Sequence, residues 1–360
     1  MKVGILTFNC ALNYGAVLQC HGLYTTIKSW GHDVQVIDYR PSYLYSPRPE
    51  IGKRRMLFHP LEAYNLFQKT AYWRHNYDSF WRFQKQHWSL TKTVTNEMEM
   101  RTVINSFDTV IVGSDQVWAS AHNGHDYVWY GLPNTSPKWI AYAASAGDAN
   151  ISAKDEELLY TMLNTFSFIS VRERKLATVL KTLSPDRIID TVLDPTLMSD
   201  VNVWQQWMRP IIKESYITIY QARPDDNVFR IANDIATQMK IKRIVVLDNH
   251  SNVLKNGFKP YPASPSEFVS IIGNSKCVIT TSFHGTAFSI ITGVPFYTLF
   301  LNDGADERTK DLVEILCLEQ RMIDKNDRPE FSPIDYSHVH SILNNQRNHS
   351  IAFIKEALEI

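Results

Sequence analysis

The sequence predicts an α/β fold in which two Rossmann-like domains face a cleft. Short apolar, β-branched runs alternate with helical segments along the chain, and apolar strands joined through helices form parallel βαβ units. This alternation breaks near Arg209-Pro210 and starts afresh at 215–220. A chain of 360 residues is also long enough that two domains are the natural expectation.

The first half, residues 1–210, begins with a buried strand over 2–8, and a helix follows from Tyr14 to about Trp30. Gly31 ends this helix before a strand over 33–39. Later strands are predicted at 108–112, 139–144 and 168–171, and 192–195 closes this half.

An aromatic and basic insertion interrupts the first half at about 41–100. A loop rich in Pro, Tyr and Arg, which includes Arg54 and Arg55, leads into a helical region over about 61–88. Such a segment can rest on a membrane surface or hold a glycan. It can equally pack as an amphipathic hairpin on its own domain.

The second half, residues 211–345, repeats the alternation with strands at 215–220 and 243–247. Ser264 is expected to cap a helix, because Pro265 occupies the first helical position and Glu267 follows three residues after the cap. Helices are also predicted over 227–239 and 306–316. A last helix over 350–359, within the segment 346–360, is expected to pack back on the first half.

The stretch 277–301 reads strand, turn, helix, strand, and it contains the most informative residue. His284 lies in a turn at the carboxyl end of a strand and the amino end of a helix, where open α/β sheets bind ligands. The helix start offers free N–H groups to an anion, and an imidazole exchanges protons near neutral pH. The alternative is a histidine that only caps the turn.

Composition narrows the class of protein. Lysine plus arginine equals aspartate plus glutamate, 37 each, so no net field attracts nucleic acid. No apolar run approaches the length of a membrane span. The first residues already read as a strand, so we expect no signal peptide. The four cysteines have neither metal-ligand nor CxxC spacing, which fits a reducing cytoplasm. Of these we expect Cys10, Cys277 and Cys317 to be buried.

Six loop sequences, in order and at plausible spacing, resemble the polysaccharide pyruvyl transferase family over about Met1 to Leu318. They are Asn13-Tyr-Gly-Ala-Val-Leu-Gln19, Gly113-Ser-Asp-Gln-Val-Trp118, Ala141-Tyr-Ala-Ala-Ser145, Ser170-Val-Arg-Glu173, Leu193-Asp-Pro195 and Ser282-Phe-His-Gly-Thr286. The insertion at 41–100 has no counterpart that we can match.

The resemblance implies a two-domain fold of the glycosyltransferase-B type. It also implies transfer of a pyruvyl group from phosphoenolpyruvate to sugar hydroxyls, usually as a cyclic ketal, with release of phosphate. The sugar would belong to a capsule, exopolysaccharide or cell-wall precursor. That precursor is often lipid-linked at the inner face of the membrane, so peripheral membrane contact is implied as well.

The same resemblance assigns expected roles to residues. His284 matches the family's histidine and is the expected catalytic proton-transfer group. Phosphoenolpyruvate carries a phosphate and a carboxylate, which need cations and helix N-termini. The family uses arginines for this anion without fixing their positions, so the candidates come from this sequence. They are Ser282 and the turn amides at Gly285 and Thr286, Arg223, which follows a strand and should point into the cleft, and Arg308, which precedes a helix. Either arginine can equally be a solvated loop residue. No cofactor is implied.

On the acceptor side, Asp115 and Gln116 follow a strand and are expected to hydrogen-bond sugar hydroxyls. No second carboxylate accompanies Asp115 at metal spacing, so no metal is expected. Further acceptor-side candidates are Asn13, Tyr14, Gly15 and Tyr142, although Gly15 can equally be a packing glycine. We expect Arg172 and Glu173 to form an ion pair that orders their turn.

Two other function classes stay open. A nucleotide-sugar-dependent glycosyltransferase of the same architecture would need an acidic ribose contact late in the second half, for which Glu307 and Asp311 are candidates. A non-catalytic glycan-binding scaffold would instead use the aromatic insertion. Stabilisation by phosphoenolpyruvate and not by nucleotide sugars would favour the transferase.

Overall fold

We describe the chain from a computed structural model that describes residues 1–44, 60–147, 153–248 and 257–359. The first sheet contains β1 (Lys2–Leu6), β2 (Asp33–Val36), β3 (Thr109–Val112), β4 (Lys138–Ala144), β5 (Phe168–Val171) and β6 (Ile189–Thr191). The second sheet contains β7 (Tyr216–Tyr220), β8 (Arg243–Leu247), β9 (Val278–Thr280), β10 (Phe296–Leu299) and β11 (Met322–Ile323).

The helices connect and cover these strands. They are α1 (Tyr14–Ser29), α2 (Pro60–His87), α3 (Glu97–Ile104), α4 (Ser120–Asn123), α5 (Ala153–Thr165), α6 (Arg174–Leu183), α7 (Pro195–Met198), α8 (Asn202–Gln205), α9 (Asn227–Gln238), α10 (Pro265–Gly273), α11 (Phe283–Thr292), α12 (Glu307–Ile315) and α13 (Tyr336–Ala357). Single 3₁₀ turns occur at Tyr127–Tyr130, Gly304–Asp306 and Glu319–Arg321.

Strand order determines where ligands can enter each sheet. In the described residues the strands pair in parallel, in the order β2-β1-β3-β4-β5-β6 and β11-β10-β9-β7-β8. The order therefore reverses between β1 and β3 in the first sheet and between β7 and β9 in the second. Loops diverge at such switch points and leave a crevice at the carboxyl ends of the strands. The predicted α/β fold with two Rossmann-like sheets is confirmed.

Helix α1 lies between the two sheets, and almost all of its side chains are buried. The ring of Tyr14 stacks on Phe268 at 4.6 Å between centroids, and its hydroxyl donates to the Ala263 carbonyl at 2.8 Å. Phe80 of α2 packs on the same tyrosine at 5.2 Å. These contacts join the first domain to α10 of the second.

The helical region predicted over about 61–88 forms one 28-residue helix, α2, rather than a hairpin, and residues 45–59 of the insertion lie outside the described residues. Its aromatic residues Phe80 and Phe83, and Trp88 just after it, are buried in the core that spans both domains. The Tyr72 hydroxyl also donates to the Asp248 carbonyl of the second domain. The hairpin expectation was therefore wrong, and the helix packs on two domains. Arg54 and Arg55 lie outside the described residues.

The C-terminal helix α13 begins at Tyr336, well before the predicted Ser350. It returns to the first domain, where Ser350 Oγ accepts from the Leu193 amide at 2.9 Å and Arg347 Nε donates to the Leu197 carbonyl at 3.0 Å.

Two further expectations concern Cys317 and membrane spans. Cys317 is exposed just after α12, so the expectation of a buried thiol there was wrong. No helix in the described ranges has both the length and the apolar character to cross a bilayer.

Candidate active site

The two switch points face each other across a cavity of about 310 Å³. Loops after β1 and β3 form one wall, and loops after β7 and β9, together with the start of α12, form the other. The lining residues are Asn13, Asp115, Gln116, His122, Ala222, Arg223, Thr281, Ser282, Phe283, His284, Ala305 and Arg308. The cavity therefore brings together seven of the side chains predicted to form the site, from both halves of the chain.

His284 occupies the first turn of α11, directly after β9. Its side chain is only 8% exposed, because the first domain covers it. A Cβ at Gly15 would lie 2.0 Å from Nδ1, 2.4 Å from Cγ and 2.5 Å from Cε1 of the ring. Since Cγ and Cε1 are almost as near as Nδ1, Gly15 faces the flat side of the imidazole rather than its edge. The backbone of Gly15 therefore packs against one face of the His284 ring.

The turn around His284 is tightly packed against its own sheet. A Cβ at Gly285 would lie 2.2 Å from Thr280 Oγ1, so only glycine lets α11 start this close to β9. The Thr286 amide donates to the Ser282 carbonyl at 3.1 Å and its side chain is buried. The Thr286 amide is therefore not available to an anion, which corrects the role predicted for it, although the buried Oγ1 of Thr286 has no hydrogen-bond partner among the described residues. Earlier amides of the helix remain free of intrahelical bonds.

Asp194 connects the histidine to the first domain. Its Oδ2 lies 3.6 Å from His284 Nε2, 2.6 Å from Arg172 Nη1 and 3.1 Å from Ser114 Oγ. Its Oδ1 accepts from the amide and hydroxyl of Thr196 at 2.9 and 2.7 Å. Burial opposes ionisation of this carboxyl, but His284, Arg172 and the Thr196 amide outweigh it and hold the pKa of Asp194 well below its usual value.

The sequence did not predict this partnership. The expected Arg172–Glu173 ion pair is wrong, because Arg172 pairs with Asp194 while the Glu173 carboxylate accepts from Ser145 Oγ. Burial raises the pKa of Glu173, although Arg172 and Arg308 act in the opposite direction. The one sequence signal was the Asp194-Pro195 turn, since aspartate before proline is a helix cap.

Two guanidinium groups beside the histidine have unused donors. Among the described residues, Nε and Nη2 of Arg172 and Nε of Arg308 are buried without hydrogen-bond partners. Burial, together with the charge of Arg172, lowers the pKa of Arg308 to about 10. The guanidinium of Arg172 also lies over the Phe283 ring at 4.7 Å. Buried cations with free donors are typical of a site that an anion completes.

A second cavity of about 250 Å³ lies at the same group of cations. It shares Phe283 and Arg308 with the first cavity, and Arg172 and Asp194 also line it. Its other walls are largely apolar, with Leu197 and neighbouring leucine and isoleucine side chains.

Arg223 lines the first cavity, but its charge is already neutralised. One guanidinium nitrogen pairs with Asp303, and the other lies 2.6 Å from Asp306 and 3.1 Å from the Thr281 carbonyl. This arginine therefore fits a structural role better than the anion-binding role predicted for it. Asp306 is itself buried and holds the loop before α12 through the Leu301 amide.

The opposite wall is polar. Asn13 caps α1 by accepting from the Ala16 amide at 3.2 Å, and Asp115 adopts a left-handed backbone with φ of 71°. Asp115 Oδ1 lies 4.0 Å from Arg172 Nη2. His122 of α4 also reaches the cavity, and sequence reasoning missed it because no motif marks this one-turn helix.

Tyr14 and Tyr142 do not line the cavity. Both are fully buried, and burial raises the pKa of each phenol well above its usual value. The Tyr142 hydroxyl donates to the Leu193 carbonyl at 3.0 Å, as that of Tyr14 does to Ala263. Their predicted acceptor-side role does not agree with these positions. Within the described ranges, no group of three or more His, Cys, Asp or Glu residues could hold a metal ion.

Two UDP-GlcNAc 2-epimerases are among the solved structures of similar fold. The Neisseria meningitidis enzyme, bound to UDP-GlcNAc, is 10% identical with a TM-score of 0.54, and the match covers 100% of each chain. The Methanocaldococcus jannaschii enzyme, in complex with UDP-GlcNAc and UDP, is 13% identical with a TM-score of 0.51, and the match covers 97% of this chain and 93% of that one. At these identities the likeness shows the fold alone, which is of the glycosyltransferase-B type.

No curated protein matches the sequence. The family model for polysaccharide pyruvyl transferase matches residues 13–303, which include both walls of the cavity except Ala305 and Arg308. The family predicted from the six loop motifs is thereby confirmed. The chain belongs to the polysaccharide pyruvyl transferase family.

Proposed function

We propose that this protein transfers the enolpyruvyl group of phosphoenolpyruvate to two hydroxyls of a sugar, forming a cyclic pyruvate ketal and releasing phosphate. One observation carries the proposal: buried His284 lies beside two arginines, Arg172 and Arg308, each of which keeps at least one buried donor without a hydrogen-bond partner among the described residues. A small ligand that bears a phosphate and a carboxylate and must be protonated to react fits this combination of charge and acid.

The two arginines would bind the anionic groups of phosphoenolpyruvate. Arg172 is held from behind by Asp194, so its remaining donors keep a fixed direction. Arg308 loses hydration by burial and is repelled by Arg172, and a bound anion would relieve both costs. The free amides at the start of α11 add partial positive charge at the same place.

His284 would deliver the proton that starts the reaction. Protonation of the methylene carbon makes C2 electrophilic, and a first sugar hydroxyl forms a bond to C2 as it loses its proton. A second hydroxyl then forms another bond to C2 while the bond from C2 to the phosphate oxygen breaks. One hydroxyl proton restores His284 and the other leaves with phosphate, so the reaction needs no metal or cofactor.

The polar wall of the first domain would hold the sugar. Asn13, Asp115, Gln116 and His122 offer amide, carboxylate and imidazole groups to hydroxyls. We place the reaction in the cytoplasm, on a capsule, exopolysaccharide or cell-wall precursor. We further propose that this precursor is lipid-linked, which would bring the protein to the inner face of the membrane as a peripheral partner.

The alternative functions have less support from the described contacts. Asp311, a candidate ribose ligand for a nucleotide-sugar transferase, accepts from Arg174 N and Nε at 2.9 and 2.8 Å. The glycan-binding scaffold would need aromatic rings on a surface, whereas Phe80, Phe83 and Trp88 are buried and the partly exposed Trp73 and Tyr77 pack against the same core.

Thermal stabilisation tests the proposal without knowledge of the acceptor. Phosphoenolpyruvate at a large excess over its dissociation constant should raise the melting temperature, because it binds only the folded protein. Pyruvate and inorganic phosphate, each with one of the two anionic groups, are the matched controls and should act weakly. Stabilisation by UDP-GlcNAc but not by phosphoenolpyruvate would contradict the proposal.

A further inference from the structure

The carboxylate of Asp194 and the imidazole of His284 meet across the boundary between the domains. Asp194 follows β6 of the first sheet, and His284 follows β9 of the second. Nε2 of the histidine lies 3.6 Å from Oδ2 of the aspartate, and among the described atoms it has no hydrogen-bond partner. This distance is longer than a hydrogen bond and short enough to become one with a small movement.

The carboxylate cannot turn away from the histidine. Thr196 holds Oδ1 through its amide and hydroxyl, while Arg172 and Ser114 hold Oδ2. Asp194 is 1% exposed, so water does not compete for its oxygens. The direction from Oδ2 toward Nε2 is therefore fixed by the first domain.

The ring of His284 is restrained in a second way. Gly15 covers its flat side, as the three Cβ distances above show. With Gly15 on the face and Asp194 opposite Nε2, the in-plane edge at Nδ1 is the edge that neither group occupies. Only a proton on Nε2 lets the ring donate to Asp194.

We propose that Asp194 is a positioning residue for His284: its carboxylate accepts a hydrogen bond from Nε2–H, fixes the ring, and leaves Nδ1 to exchange protons with the substrate. Because the two residues belong to different domains, this contact depends on how the two domains pack together. The exchange of protons between Nδ1 and the substrate rests on the proposed function. The fixing of the His284 ring by Asp194 does not.

NMR of the whole chain labelled with ¹⁵N-histidine measures which ring nitrogen of His284 carries the proton. The His284 signal is assigned by its loss in His284→Gln. In the wild type, neutral His284 should carry its proton on Nε2. Asp194→Asn replaces one of the two carboxylate oxygens by an NH2 group. If the amide oxygen stays at Thr196, the NH2 group faces Nε2 and the ring proton moves to Nδ1. If the oxygen stays at Arg172, Nε2 keeps its proton, so the wild-type spectrum is the deciding measurement.

Ser114→Ala is the matched control, because it removes one bond to Oδ2 and keeps the carboxylate. Its His284 should retain the wild-type protonation pattern. Neutral wild-type His284 protonated on Nδ1 would overturn the proposal, whether or not Asp194→Asn folds.

Kinetics with phosphoenolpyruvate and an accepted sugar add a second readout. Asp194→Asn should lower kcat by about 10²-fold, within the range that acid–base catalysis contributes, and should change KM for phosphoenolpyruvate much less. A rise in KM alone would mean that Asp194 acts only by holding Arg172. Should the wild type show no pyruvyl transfer while neutral His284 carries its proton on Nε2, the proposed function fails and the ring-positioning role stands.

Discussion

Two strand-to-helix turns meet in the cleft, one before α1 and one before α11, and they differ in how the first amides of their helices are bonded. In the turn before α1, Asn13 caps the helix by accepting from the Ala16 amide at 3.2 Å. In the turn before α11, Ser282 occupies the cap position but makes no side-chain cap bond. The first turn satisfies its own amides and presents a bare glycine surface. The second leaves its amides to a ligand and presents His284.

The same contrast separates two arginines of the second domain. Arg223 is paired with Asp303 and Asp306, whereas Arg308 keeps a buried donor without a partner. Both line the cavity, so proximity alone does not distinguish them. Groups that the protein already satisfies build the site, and groups that it leaves unsatisfied are available to a ligand.

The largest expected effect comes from the reactive residue of the second turn. His284→Gln should lower kcat for ketal formation by about 10²–10⁴-fold, because it removes the proton donor. The same substitution at His338, an exposed histidine of α13, is the matched control and should leave the rate unchanged. Circular dichroism should show both variants folded. A folded His284→Gln protein with wild-type activity would contradict the role of His284 as the proton donor.

The second largest effect is expected at Gly15, which packs against the His284 ring from the start of α1. Gly15→Ala puts a Cβ 2.0 Å from His284 Nδ1, so the ring must move. We expect kcat to fall by about 10²-fold, as a small misplacement of a reacting group does, and overpacking to cost about 1–3 kcal/mol of stability. Steady-state kinetics and urea unfolding measure the two.

Gly273→Ala is the control for Gly15→Ala. Its new Cβ would meet the flexible end of Met208 at 3.2 Å, far from the chemistry. This variant should keep its activity. If Gly15→Ala keeps wild-type kcat as well, Gly15 is a packing glycine without influence on His284.

A smaller effect should separate the two arginines. Arg308→Gln should weaken phosphoenolpyruvate binding by about 10–100-fold, since hydrogen bonds to charged groups contribute about 1.5–3 kcal/mol. Arg223→Gln should lower the melting temperature of the free protein, because it leaves Asp306 buried without its cation. Titration calorimetry with phosphoenolpyruvate reports the first effect and a melting curve the second. The reverse pattern would mean that Arg223, not Arg308, binds the anion.

The smallest effect concerns the two caps. Asn13→Ala should lower the free energy of unfolding by about 1 kcal/mol, because it removes the bond to the Ala16 amide. Ser282→Ala removes no cap bond, and its cost should be that of the hydrogen bond between Ser282 and the buried Tyr220 hydroxyl. This cost should therefore disappear in a Tyr220→Phe background. A cost that persists there in urea unfolding would show that Ser282 caps α11.

Local pattern was enough to predict much of the fold. Strands Phe168–Val171 and Arg243–Leu247 and helix Pro265–Gly273 have the predicted bounds. The helix was readable because Ser264 and Glu267 form the expected capping box. Strand Met322–Ile323 was not predicted, because two residues give no periodicity.

The candidate site was predictable where a residue follows a strand, and not where it depends on packing. His284, Arg308 and Asp115 lie at strand ends or helix starts, so topology placed them in the cleft. The link from Asp194 to Arg172 and His284 needs three loops from two domains to meet, which no local pattern encodes. Tyr14 was misplaced because the sequence does not say which way a helix turns its first side chain.

One measurement tests the central claim most directly. The protein is incubated with ¹³C-labelled phosphoenolpyruvate and a panel of lipid-linked oligosaccharides, and the glycans are analysed by mass. We expect one acceptor to gain the mass of labelled pyruvic acid less one water, with an equal amount of phosphate released, and no gain with His284→Gln. Transfer of a sugar from a nucleotide sugar to the same panel, with no pyruvyl gain, would contradict the claim.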